Sequence, residues 1–403
     1  MPFSNTGPLR RELVAALPER PFSIHFWDGT VVEATQPDAP TFSFLGPEAL
    51  AHVVRAPGEL GLGRAFVLGL VDADDIERAL RVVDGYQPPK LSIGQIVRLG
   101  AAVIRACGLV APPRPPAVEL RLKGDRHTIR RDRQAVSYHY DAGNDFFALF
   151  LDPTMTYSCA YWRGGATTLE EAQRAKLDLV CRKLDLQPDE RVLDVGCGWG
   201  SFAIHAASNY GVRVLGVTLS REQVVLARER VLDAGLQDRI EIREADYREL
   251  GDEHFDAISS IGMVEHVGGE RIGLYMDTLR DLLVPGGRLL NHGIAKLQDL
   301  DDPDEGPFSE RFVFPDGVPL PLSRIVGAME RTGLVVRHVE GLAEDYARTL
   351  SQWIDSFESR WEEAVRLAGI ERARVWRVYL RAARSGFVTG WASIYQVLAS
   401  RPV

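Results

Sequence analysis

Residues able to bind and orient a small charged ligand gather in three short stretches. "LDVGCGWG" at 193–200 places Gly196, Gly198 and Gly200 directly after a strand-like run and before a helical one. Glycine permits a tight turn and lets a ligand approach the backbone closely. The G-x-G-x-G spacing is not the dinucleotide G-x-G-x-x-G, and no lysine follows as in a nucleotide-triphosphate loop. With Asp194 just before the first glycine, the turn suits a ligand carrying an ammonium and a sugar better than one carrying a pyrophosphate. The plainer alternative is a strand-to-helix turn with no ligand. "VTLSREQ" at 217–223 offers Thr218, Ser220 and Gln223 where many nucleoside-binding sheets carry a ribose-binding carboxylate. Thr218 and Ser220 are equally suited to capping the helix that follows. In "EADYREL", Asp246 could accept from an adenine amino group and Tyr247 could lie against the ring.

A fourth stretch, "TMTYSCAYW" at 154–162, holds Cys159 with no second cysteine at metal-ligand or redox spacing. The other cysteines are Cys107, Cys181 and Cys197, scattered without a pairing pattern, as expected of reduced thiols in a cytoplasm. On its own Cys159 reads equally as a small buried hydrophobe and as a small residue lining a site.

The elements that would position these residues follow from the pattern after residue 188. "RVLDVG", "VRVLGVTLS", "IEIREAD", "FDAISSIGM" and "GRLLNHGIA" are short apolar runs, alternating in their first part with helical stretches such as "SFAIHAASNY" and "REQVVLARERVLDAG". This alternation predicts a parallel sheet covered on both faces, with ligands beyond the carboxyl ends of its strands.

Residues 1–110 mix β-like runs ("FSIHFWDGTVVEA", "TFSFLG") with amphipathic helical ones and carry no cofactor fingerprint. They predict a smaller α+β domain. A proline-rich then basic linker spans 111–134, and a catalytic domain spans 135–403. Within the linker, "RLKGDRHTIRRDR" at 121–133 has six basic and two acidic residues. It is either a solvated connection or a contact for anionic lipid headgroups. The chain has 403 residues and a net charge of −9, which argues against a nucleic-acid binder. Its start is too polar for a signal peptide, and no apolar run is long enough to span a bilayer.

"HYDAGNDFFALFLDPTMTYSCAYW", "VLDVGCGWG", "GVTLS", "SSIGMVEHVG" and "FVFPDGVPLPLS" together resemble the cyclopropane-fatty-acyl-phospholipid synthases. They are also similar to the relatives that make mycolic-acid cyclopropanes and methyl-branched fatty acids. The resemblance covers roughly 121–403 and implies a class I methyltransferase, Rossmann-like fold with helical lipid-pocket elements. It implies S-adenosylmethionine as methyl donor and an unsaturated acyl chain, typically on a membrane phospholipid, as acceptor. By motif, Tyr157 and Ser158 meet the amino-acid end of the cofactor, and Gly196, Gly198 and Gly200 line its sugar and methionine portion. Thr218, Leu219 and Gln223 take the ribose side, with Asp246 and Tyr247 at the adenine.

The family chemistry moves the sulfonium methyl to a cis alkene. A small base, bicarbonate, then removes a proton from the new methyl of the resulting carbocation and the ring closes. The matching residues are Cys159, Glu265, His292, Ile294 and Tyr346. Backbone N–H groups of Cys159 and Ile294, His292 in a suitable tautomer and the Tyr346 hydroxyl would donate to the anion, with Glu265 orienting the site. The resemblance also implies a homodimer at the inner face of the membrane, presenting its basic stretches (121–133 and the arginines of 372–387) to an anionic bilayer.

Two departures from the family pattern stand out. Ala383 replaces a helical cysteine, and the loop at 312–323 carries Asp316 and Val318–Leu322 in place of the commoner F-P-G-G-x-L-P-S form. His139 and His266 read as packing or orienting groups, and Trp353, Phe357 and Trp361 as core or as an acyl channel. Two other outcomes share this site: a methylene- or methyl-branched product, or a non-catalytic lipid-binding protein on the same scaffold.

Overall fold

The computed structural model describes residues 5–108, 113–140, 142–297 and 307–403. The chain divides into two compact units. One comprises Met1–Leu120, Gly306–Val313 and Gly369–Ser385, and the other Arg121–Glu305, Phe314–Ala368 and Gly386–Val403. This division falls elsewhere than the compositional boundaries at 110 and 134. The basic stretch belongs to the second unit because Arg131 donates from Nε and Nη2 to the two Asp316 oxygens, at 2.5 and 2.7 Å, and Arg126 adds a contact at 3.3 Å. Residues 369–385 belong to the first because Arg374 donates to the Phe66 carbonyl at 2.9 Å and Arg384 pairs with Glu77. Gly369, at φ +79°, breaks the helical run Trp361–Thr389 where the chain passes between units.

The second unit is built on seven principal strands: β1 (Arg191–Val195), β2 (Arg213–Thr218), β3 (Ile240–Glu244), β4 (Phe255–Ile261), β5 (Leu283–Lys296), β6 (Val335–Gly341) and β7 (Ala392–Ser400). They lie in the order β3-β2-β1-β4-β5-β7-β6. The first five run parallel and β7 is antiparallel to both neighbours. Its principal helices are α1 (Ile129–Tyr140), α2 (Leu169–Lys183), α3 (Ser201–Tyr210), α4 (Arg221–Asp233), α5 (Ile272–Leu282) and α6 (Ala343–Ser359).

Alternate residues of β1, β2, β4 and β5 feed two separate cores, as a pleated sheet covered on both faces requires. Leu193, Leu215, Ile258 and Leu289 pack on the α5 side, whereas their neighbours Val192, Val214, Ala257 and Leu290 pack on the side of α2, α3 and α4. Helix α2 starts at a capping box between Thr168 and Glu171, and α4 starts at Ser220, whose hydroxyl accepts from the Gln223 amide. Strands β1 to β5 coincide with the five apolar runs of the sequence.

The first unit has a four-stranded sheet ordered Val31–Val32, Ser23–Phe26, Thr41–Phe44, Val71–Ala73. Phe26, Phe42, Phe44, Leu50 and Val71 form its core. The α+β character expected of residues 1–110 is present.

Candidate active site

The glycine turn joins β1 to α3. Gly196, Gly198 and Gly200 all have positive φ (+73°, +53° and +79°), where a side chain would be strained. Their surroundings differ. A Cβ on Gly196 would lie 2.5 Å from the Met263 sulfur, so that residue is fixed by close packing. A Cβ on Gly198 would meet nothing within 4 Å, so the turn opens there onto free space.

Two buried charges lie in each other's field, Asp194 two residues before the turn and Lys176 on α2. Lys176 of α2 is 1% exposed and Asp194 at the end of β1 is 2% exposed. The Lys176 ammonium donates to Ser158 Oγ at 2.9 Å, and the Asp194 oxygen Oδ2 is sealed with no hydrogen-bond partner. Burial pushes Asp194 up to about 7 despite the pull of Lys176. Burial also pushes Lys176 down to about 8, against the fields of Cys159, Asp152 and Asp194. A buried carboxylate and a buried ammonium close to a glycine turn suit a zwitterionic ligand.

Beyond β2, Thr218 Oγ1 donates to the Gln223 side chain at 2.7 Å, and both residues are buried. The Tyr140 phenol of α1 also bonds to the Gln223 side chain. Leu219 follows Thr218 directly. At the end of β3, Asp246 is held by Arg248 at 2.7 and 2.6 Å, and Arg248 also pairs with Asp132 of α1 at 2.8 Å. Tyr247 packs edge-on against Tyr275 at 5.3 Å. The acid in the basic stretch therefore helps to orient the Asp246 carboxylate, a link that sequence spacing does not show.

The five residues matched to the anion site are joined by short links. Cys159 Sγ points at the Ala160 and Leu342 carbonyls, at 3.2 and 3.7 Å, and the Tyr346 amide donates to the same Leu342 carbonyl at 3.0 Å. The Leu342 amide donates to Ile394, which pairs with Ile294 across β7 and β5. His292 stands two residues before Ile294 on β5. Glu265 lies in a short 3-10 turn after β4. Parts of Glu265 remain accessible, but its Oε2 is sealed and has no hydrogen-bond partner.

Burial raises Glu265 to about 7, against the N–H groups of its own backbone and of Ile294. His292 is fully buried and its pKa is driven well below the usual range, first by burial and then by Lys176 and Lys183. It is therefore neutral. Burial drives the Cys159 thiol well up, so it is a protonated thiol and no nucleophile.

An aromatic layer covers this region. Tyr157 lies 5.3 Å from Trp353, Trp353 lies 6.0 Å from Tyr346, and Phe150 bridges Trp353 and Phe357 at 6.1 Å each. Trp353 and Phe357 are essentially fully buried. His139 stacks on Phe314 at 4.2 Å and His266 packs on the same ring at 5.3 Å, which is the packing role. The loop after Phe314 is fastened twice, by Asp316 to α1 and by the Val318 amide to the Glu265 carbonyl at 2.9 Å. Asp316 has φ +66°, a conformation in which aspartate is among the tolerated residues.

Sequence spacing missed Lys176, Lys183, Gln396 and Arg248. One signal was available for the lysines: they stand seven apart on the buried face of α2, among Ala172, Leu177, Val180 and Cys181. A lysine at a core position needs a partner.

A sheet of seven principal strands with one antiparallel, a glycine turn after β1 and polar groups at the strand ends together define a class I S-adenosylmethionine-dependent methyltransferase. The model of the mycolic acid cyclopropane synthetase family matches residues 127–397, and the chain belongs to that family. A probable fatty acid methyltransferase of Mycobacterium tuberculosis is 36% identical over 405 residues, covering 97% of this chain and 93% of that protein. The cyclopropane-fatty-acyl-phospholipid synthase of Escherichia coli K12 is 41% identical over 266 residues, covering 66% of this chain and 67% of that one. Among solved structures, mycolic acid cyclopropane synthase CmaA1 complexed with SAH and CTAB is 33% identical with a TM-score of 0.63. It covers 67% of this chain and 98% of its own.

Proposed function

We propose that the protein transfers the methyl of S-adenosylmethionine to a cis double bond of an unsaturated phospholipid acyl chain, with a bound bicarbonate as base, giving a cyclopropane. The cofactor, when bound, supplies an electrophilic methyl group. The chain's own residues bind and orient around it. Asp194 is the counter-charge for the cofactor ammonium, and Lys176 with Ser158 holds its carboxylate. Tyr157 closes over the same end, and Gly196, Gly198 and Gly200 let the backbone approach. Thr218, Leu219 and Gln223 serve the ribose, and Asp246 and Tyr247 serve the adenine.

The single observation that carries the base assignment is the pair of sealed, unpartnered polar atoms, His292 Nε2 and Glu265 Oε2. Glu265 accepts from the Ile294 backbone N–H, and His292 stands two residues before Ile294 on the same strand. Buried polar groups are ordinarily satisfied, so each of these atoms is available to a small polar occupant. The aromatic layer keeps bulk water from a reactive cationic chain.

Lipid mass spectrometry of cells expressing the protein tests this reading. A gain of one CH2 with no product of ozonolysis at the original double bond fits a ring. Unchanged lipids would leave only the non-catalytic lipid binder. A methylene or methyl branch is the second reading.

Bilayer contact is part of the same proposal. No helix among the described residues is long and apolar enough to cross a membrane. Helix Ile93–Cys107 of the first unit nevertheless turns Ile93, Ile96, Val97 and Ile104 outward, at 82%, 55%, 63% and 52% exposure. That helix contains Arg98 and Arg105 and no acidic residue. Arg98 pairs with Glu12 at 3.1 Å, and an apolar arc with Arg105 beside it suits the surface of an anionic bilayer, visited by a homodimer carrying two such arcs. Arg126 and Arg131 are engaged by Asp316, so Lys123, Arg130 and Arg133 are the exposed cations left to test in the basic stretch. Co-sedimentation with anionic vesicles should weaken when Ile93 and Val97 become aspartate, and fall with salt. Undiminished sedimentation would move the contact elsewhere.

A further inference from the structure

Three strands bring Glu340, Gln396 and His292 into one row. Glu340 of β6 pairs in register with Gln396 of β7, and Gln396 pairs in register with His292 of β5. Residues directly opposite each other on adjacent strands project from the same face, so the three side chains stand side by side. Lys183, the last residue of α2, lies over that row. Its ammonium donates to Glu340 Oε2 at 2.5 Å and to Gln396 Oε1 at 2.7 Å. The Gln396 amide nitrogen lies 3.1 Å from His292 Nδ1.

The direction of every hydrogen in this chain follows from one rule. An ammonium has donors only, so the group it meets on Gln396 must be the carbonyl oxygen. The amide NH2 then faces His292, and the opposite orientation would set donor against donor. Nδ1 of His292 must therefore accept. A neutral imidazole that accepts at Nδ1 carries its proton on Nε2. Nε2 is the sealed atom with no hydrogen-bond partner.

We infer that Lys183 and Gln396, with Glu340 holding Lys183 in place, are positioning residues that fix His292 as its Nε2–H tautomer, a hydrogen-bond donor aimed into the site. The inference rests on the proposed anion site only for its purpose. Were the proton on Nδ1, His292 would turn a lone pair toward the anion and repel it. The relay also keeps the Lys183 charge two groups away from the anion. Neutral donors hold a base without suppressing its basicity as an adjacent ammonium does.

The test is nitrogen NMR of the full chain labelled with 15N-histidine, with His292→Gln identifying the signals of His292. The expected spectrum has the proton on Nε2 across neutral pH. Gln396→Glu replaces the amide donor by an acceptor, so the proton should move to Nδ1. Lys183→Met removes the group that orients the amide and should give both tautomers, whereas Lys183→Arg, which keeps donors, should retain Nε2–H.

Turnover should fall about ten- to a hundredfold in Gln396→Glu, with cofactor affinity by calorimetry unchanged. A proton on Nδ1 in the unmodified protein, or one that stays on Nε2 in a folded Gln396→Glu variant, overturns the assignment. The expected tautomers together with a turnover that ignores bicarbonate would instead overturn the base reading and leave this inference standing.

Discussion

Lys176 and Lys183 stand two turns apart on one face of α2, yet they serve the two ends of the site in opposite ways. Lys176 is wholly buried and its ammonium reaches Ser158 directly, in the field of an equally buried Asp194. Lys183 is closed off by Glu340 and reaches His292 only through the neutral amide of Gln396. At the cofactor end the fold presents bare charges. Around His292 the Lys183 ammonium is screened behind Glu340 and Gln396, although the field of Lys176 still reaches the imidazole. The difference matches the two proposed ligands: opposed charges suit a zwitterion, whereas a small base is better held by a neutral amide relay that leaves its affinity for a proton intact.

The cofactor end breaks most completely at its glycine turn. Gly198→Val should abolish S-adenosylmethionine binding, because the new side chain fills the open space and meets an unfavourable φ. Calorimetry on the folded variant checks it, and undiminished affinity would sink the placement.

The anion end should break without disturbing the cofactor. Glu265→Gln and Tyr346→Phe should lower turnover by about ten- to a thousandfold while cofactor affinity stays put. Bicarbonate-depleted buffer should slow the unmodified enzyme more than the Tyr346→Phe variant. Rates indifferent to bicarbonate exclude it as the base.

The two lysines give the direct contrast. Lys176→Met should weaken cofactor binding by about a hundredfold, on the scale of losing a charge-assisted contact in a buried site. Lys183→Met should leave that affinity alone. Identical binding profiles for the two variants would erase the distinction drawn between the ends.

The smallest effect is a pH profile. Asp194 is held up at about 7 by burial, so the carboxylate that an ammonium needs is lost as pH falls through that value. Lys176, pushed down to about 8, loses its charge as pH rises through that one. Cofactor affinity should peak between them and fall by about tenfold per pH unit well beyond either limb. Asp194→Asn should flatten the acid limb and Lys176→Met the alkaline one.

Much of this site was legible along the chain because its parts are local. The glycines, Thr218, Ser220 and Gln223 belong to strand–turn–helix units whose geometry is set within about ten residues. Strands β1 to β5 were legible because buried parallel strands are continuous apolar runs. Strand β6 was not, since it is an edge strand with mostly accessible side chains and carries no such run. The basic stretch at 121–133 read as a linker because its partners, Asp316 and Arg248, lie more than a hundred residues away.

The sequence by itself determined the class of ligand and the parallel strands that present it. Those depend on periodicity and on residues a few positions apart. Only the tertiary structure decided which atoms are charged and which way each hydrogen points. Glu340, Gln396 and His292 become neighbours through strand register, and Lys183 joins them from a helix packed across the sheet. Burial then moves Asp194 and Lys176 toward neutrality. Register and burial are properties of the assembled sheet, and neither is written in any single stretch of the chain.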